Sequence, residues 1–61
     1  MITLLTVEDV AAHLQLTPTH VRRLIRRREL PAINVGAERR PTYRVEPSAL
    51  QEFLDSRRRA A

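Results

Sequence analysis

Apolar side chains recur along this chain with two different periods. Val7, Val10, Ala11 and Leu14 fall at the three- and four-residue spacing that gathers side chains on one face of a helix. Thr6 stands before them as an N-cap, and Asp9, three positions on, completes a capping box with Asp in place of the preferred Glu. Glu8 and Asp9 also lie where the helix dipole favours acids. The pattern predicts a helix over residues 7–14. A second stripe, Val21, Leu24 and Ile25, follows a cap at Thr17 and a proline at the first helical position, where its missing amide hydrogen costs nothing. It predicts a helix over residues 18–28. Only Gln15, Leu16 and Thr17 separate the two, which is the spacing of two short helices set at a steep angle. Leu16 is expected to point back into the core.

Beyond Leu30 and Pro31 the period shortens to two. Ile33 and Val35 alternate, Gly36 interrupts, and Tyr43 and Val45 alternate again. This predicts a hairpin over residues 32–45, with strands 32–35 and 42–45 and the loop "GAERRP" between them. Pro41 belongs at the end of that loop, where it spoils no ladder hydrogen bond. A third helix, residues 47–58, opens either with Pro47 at its first position or with Ser48 as a capping residue, and turns Leu50, Phe53 and Leu54 inward. The closing "RRRAA" is expected to be frayed. The fold class is therefore mainly α with a small β-hairpin: a helix-turn-helix, a two-stranded wing and a C-terminal helix, forming a single winged helix-turn-helix domain over residues 1–61.

Composition removes several functions. A chain of 61 residues without cysteine has no disulfide staple, thiolate metal site or thiol nucleophile, and relies on one small core. Tyr43 and Phe53 are the only aromatic residues, too few for a platform on which single-stranded bases stack. Tyr43 is expected to pack its ring and leave its hydroxyl at the rim. His13 and His20 have no clustered third ligand, and Glu8, Asp9 and Glu29 read as capping and dipole groups. Gly36 is the only glycine, so no phosphate-binding loop is present, and Ser48 and Ser56 lack a base. The expectation is a protein without catalysis, cofactor, metal or small-molecule substrate. No apolar run approaches membrane-spanning length and no signal-peptide pattern appears, so the chain reads as cytoplasmic with no membrane partner.

Charge changes the picture more. Net charge is +4, all eleven cations are arginine, and five of them lie in the stretch "RRLIRRR", Arg22–Arg28. With Val21 as the centre of the apolar face and about 100° per residue, Thr19, Arg23 and Arg26 fall on the opposite side, with His20, Arg22 and Arg27 at its shoulders. Arg28 falls angularly on the apolar side, so its stem is expected to pack and its head to reach solvent. No acid interrupts this face before Glu29. Like charges three and four residues apart cost a few tenths of a kcal/mol per pair in isolation, and a polyanion is the simplest source of compensation. A solvated face in an arginine-biased chain is the other reading. The turn favours the first, because the second helix of a helix-turn-helix enters the DNA major groove with its N-terminal residues nearest the bases. Thr19, His20, Arg22 and Arg23 are thereby candidates for base edges, and Arg26 and Arg27 for phosphates. Arg39 and Arg40, at the hairpin tip, are candidates for a neighbouring minor groove or its phosphates. The three arginines at 57–59 read as a solvated tail or a further phosphate contact.

The segments "LLTVEDVAAHL", "VRRLIRRRELPAINVG" and "TYRVEPSALQEFL" together resemble the excisionase-like, MerR-related winged-helix domains of bacteria, phages and mobile elements, from about Leu4 to Arg58. The resemblance implies a recognition helix at Pro18–Arg28 in the major groove and a wing at Gly36–Pro41 in the adjacent minor groove. Thr19, His20, Arg22, Arg23 and Arg26 become implied DNA contacts, with Arg39 and Arg40 in the wing. It implies double-stranded DNA as partner and no catalytic residues. Members of about this length are often excisionases, recombination directionality factors that bind beside an attachment site, often in several copies, bend it and direct an integrase toward excision. The implied setting is the nucleoid of a bacterium, with the gene bacterial or phage-borne. Other members are small transcription regulators, and size favours the excisionase. Two departures from the family pattern stand out: Gln15 occupies a turn position often held by glycine, and Arg28-Glu29 lacks the usual glycine of the bend after the helix. The competing class is a protein-interaction module whose DNA affinity is incidental. An RNA duplex suits such a helix less well, because its major groove is deep and narrow.

Overall fold

In the computed structural model, which describes residues 3–60, the first helix, α1 (Val7–Leu14), starts by the expected exchange. Thr6 Oγ1 accepts from the Asp9 amide at 3.0 Å, and Asp9 Oδ2 accepts from the Thr6 amide at 3.0 Å. The Thr6 backbone amide, and then the Thr6 side chain, hold the Asp9 carboxyl below the ordinary aspartate value, with His13 and Arg44 adding smaller attractions. The helix ends with Gln15 in the left-handed region, at φ 56° and ψ 41°. The Leu16 amide donates to Ala11 O at 2.9 Å and the Gln15 amide to Ala12 O at 3.3 Å, the paired bonds of a Schellman ending. That reversal brings Leu16 back against the core, as expected.

The second helix, α2 (Pro18–Arg26), is capped by Thr17, whose Oγ1 accepts from the His20 amide at 3.2 Å. It closes two residues before the expected end at residue 28. Arg27 is its C-cap, and Arg28 is left-handed at φ 61°. The Arg28 amide donates to Ile25 O and the Glu29 amide to Leu24 O, each at 3.0 Å, repeating the ending of α1. Arg28 is thus outside the helix and exposed, so its direction follows from this backbone reversal and not from the helical angle. The bend turns Leu30 inward, where it is 1 % exposed.

Three short strands, β1 (Leu5–Thr6), β2 (Ile33–Asn34) and β3 (Tyr43–Val45), form one antiparallel sheet in the order β1-β3-β2. Leu5 faces Val45, Ile33 faces Arg44, and Asn34 faces Tyr43. The hairpin was expected, whereas β1 was not: a strand of two residues, the second of them the cap of α1, carries no readable period. The alternation at Ile33 and Val35 also misleads, because these side chains are 42 % and 54 % exposed. β2 is an edge strand, and its Ile33 shares a shallow cleft with Glu46 and with Ala49 of the first turn of α3.

The last helix, α3 (Pro47–Ala60), carries Leu50 into the core, with Phe53 and Leu54 packed against its margin. It runs on through the three arginines expected to fray. Arg57 Nη2 lies 2.8 Å from Glu29 Oε1, and its guanidinium sits 5.0 Å from the centre of the Phe53 ring. Arg57 is therefore tied to the bend after α2 and is not a loose tail, and Glu29 serves that contact rather than a helix cap. The core itself is a single cluster of Val7, Val10, Ala11, Val21, Leu24, Ile25, Leu30, Val45 and Leu50.

Candidate nucleic-acid interface

Burial of Val21, Leu24 and Ile25 fixes the rotation of α2 about its own axis. Thr19, His20, Arg23 and Arg26 are exposed as a consequence, on the face opposite the core. Arg27 is exposed too, as the cap rather than as a helical residue. Arg22 is different. It is half-buried in a narrow cleft that Val7 and Glu8 of α1 share with Pro41, Thr42, Tyr43 and Arg44 of the hairpin. On the same side of α2, Arg26 and Arg28 stand over a second cleft floored by Ile25, Leu30, Pro31, Ala32 and Tyr43. Both clefts border the hairpin, so the cationic helix and the wing are neighbours.

The first turn of α2 holds no acidic residue. Among the described residues, Arg22, Arg23, Arg26 and Arg27 form no ion pair, since the pairs present are Arg57–Glu29 and Arg58–Asp55. Their guanidinium forks are available for charge-assisted, bidentate bonds of the kind that phosphate oxygens and guanine edges accept.

The wing is shaped by one side chain that the sequence reading passed over. Asn34 Oδ1 accepts from the Gly36 amide at 2.9 Å and from the Thr42 amide at 3.0 Å, bracing both sides of the loop. The Val35 amide donates to Thr42 O at 2.8 Å, and the Arg40 amide to Ala37 O at 3.2 Å closes the turn at the tip. A Cβ on Gly36 would lie 2.6 Å from Arg40 O and 2.9 Å from Thr42 N, so this close approach requires glycine. Arg39 and Arg40 are exposed at the tip, with Glu38 beside them. Asparagine two residues before glycine at the head of a hairpin loop is a recognisable turn signal, and it would have located the brace.

Two helices joined by a tight turn, the second with a bare cationic face, a braced hairpin beside it and a third helix closing the core define a winged helix-turn-helix domain. A family model described as a helix-turn-helix domain matches residues 4–58, and the chain belongs to that family of DNA-binding domains. No characterised protein and no solved structure matches the chain at a significant level. Among the described residues, no helix is long and apolar enough to cross a membrane.

Proposed function

We propose that this domain binds duplex DNA with α2 in the major groove and the wing tip on the neighbouring minor groove, and that it serves as an excisionase. In this reading Thr19, His20 and Arg23 meet base edges, while Arg26 and Arg27 hold phosphates. Arg22 lies at the junction with the wing, and Arg39 and Arg40 reach the minor groove. The observation that carries the reading is the adjacency of two cationic elements: an α2 face without acids or ion pairs among the described residues, and, across a shared cleft, an arginine-tipped wing braced by Asn34. Elements seated in neighbouring grooves grip the duplex from two directions, the arrangement from which a small protein can bend it. The excisionase role, and the integrase it implies, rest on the family resemblance. A transcription regulator built on the same domain would use the same contacts.

The first test is binding to a mixed-sequence duplex by fluorescence anisotropy across a salt series. With about five phosphates neutralised, log K against log salt falls with a slope of roughly −4 to −5. Arg23→Ala combined with Arg26→Ala removes most of that affinity. Selection from a random duplex pool then separates the roles. Adjacent copies of a site that the protein bends in a circular-permutation assay support an excisionase. A single isolated, unbent site favours the regulator, and absence of duplex binding at low salt contradicts both.

A further inference from the structure

Resting on the DNA-binding reading, we infer that the cleft between α2 and the wing is a clamp for one DNA phosphate, built from Arg22 and Arg44. Arg44 is not among the residues to which helical spacing or the wing tip draws attention. It lies in the middle strand of the sheet, opposite Thr6 on one side and Ile33 on the other. It is nonetheless half-buried in the same cleft as Arg22. Its Nη1 donates to Tyr43 O at 3.0 Å, which folds the side chain back along the strand. Among the described residues neither Arg22 nor Arg44 has an ion-pair partner within 4.0 Å.

Two acids lie near the cleft, and neither forms an ion pair with its arginines among the described residues. Asp9 attracts Arg44 without pairing with it, its carboxylate accepting from the Thr6 amide. Glu8 lines the cleft and is exposed. Two half-buried arginines from separate elements therefore line one cleft, and among the described residues no carboxylate pairs with either, so partial desolvation strengthens a charge-assisted bond to an anion there.

Position selects the anion. If α2 occupies a major groove and the wing the adjoining minor groove, one sugar–phosphate strand must pass between them. The cleft, walled by Arg22 of α2 and by Pro41 and Thr42 of the wing, lies on that path. A phosphate held there fixes the register of both elements along the duplex.

The test uses the whole domain on a mixed-sequence duplex, with affinity read across a salt series. The double variant Arg22→Gln/Arg44→Gln flattens the log–log slope by about 0.9, the value for one phosphate. The charge-matched variant Arg58→Gln/Arg59→Gln, at the far end of α3, leaves it unchanged. A flattening of about 1.8 would mean two separate phosphates and overturn the shared clamp, as would an unchanged slope with affinity lowered equally at every salt. Should the glutamine variants fail to fold, Arg44→Lys keeps the charge and loses the planar fork. It is expected to keep the slope and lose affinity several-fold, and full affinity would overturn the clamp. Failure of the wild-type domain to bind duplex at all contradicts the DNA-binding reading itself, an outcome distinct from a normal wild-type slope that the double variant leaves intact.

Discussion

Gln15 and Arg28 share an unusual backbone: both are left-handed, at φ 56° and 61°, and both sit where a helix ends in paired bonds back to its last turn. A side chain with a Cβ carries a local strain of roughly 1–2 kcal/mol there, partly offset because glycine gains more entropy on unfolding. Gln15→Gly and Arg28→Gly are each expected to stabilise the domain by about 0.5–1 kcal/mol, read as a rise in thermal midpoint of a few degrees. The family resemblance had singled out these same two places as lacking glycine, and the structure supplies the reason for its usual presence. Asp9 carries the second consequence at this scale. Its folded-state pKa is lowered by the Thr6 bonds, so its stabilising effect is complete above the ordinary aspartate value and is lost as pH falls through the lower, folded one. Asp9→Asn should therefore lower the melting temperature at neutral pH, and the gap from wild type should close as both are acidified. A gap independent of pH would contradict the capping-box account.

The secondary-structure elements were legible to the extent that their causes were local. Thr6 with Asp9, Thr17 with Pro18, and the stripe of Val21, Leu24 and Ile25 lie within a turn or two of what they control, and each sets its element as expected. The end of α2 was not legible, because continuing the helical angle through Arg28 cannot register a backbone reversal there. Strand β1 was missed because its pairing with β3 joins residues far apart in the chain. The Arg57–Glu29 contact, 28 residues apart, was hidden for the same reason. The wing shows how an element can be built from one polar side chain. Asn34 braces it and Gly36 leaves room for the return strand. Gly36→Ala forces a Cβ against the Arg40 carbonyl, so it is expected to displace the tip and weaken duplex binding several-fold. The circular dichroism of the three helices should hardly change. Unchanged affinity would mean that the wing tip contributes nothing to binding.

Across the whole molecule, residues of α1, α2, β3 and α3 meet in a single small core. The cationic face of α2 was readable from helical angle alone, since Val21 fixes which side is turned inward. That Arg22 shares a cleft with Arg44 of the hairpin was not, because it depends on how hairpin and helix pack. The central claim is that α2 and the wing form one continuous surface for duplex DNA. Its most direct test is the amide NMR spectrum of the labelled domain titrated with a duplex at low salt. Shifts are expected to concentrate at residues 19–27 and 37–42, while residues 48–60 of α3 stay nearly still. Shifts centred on α3, or none on adding duplex, would contradict it.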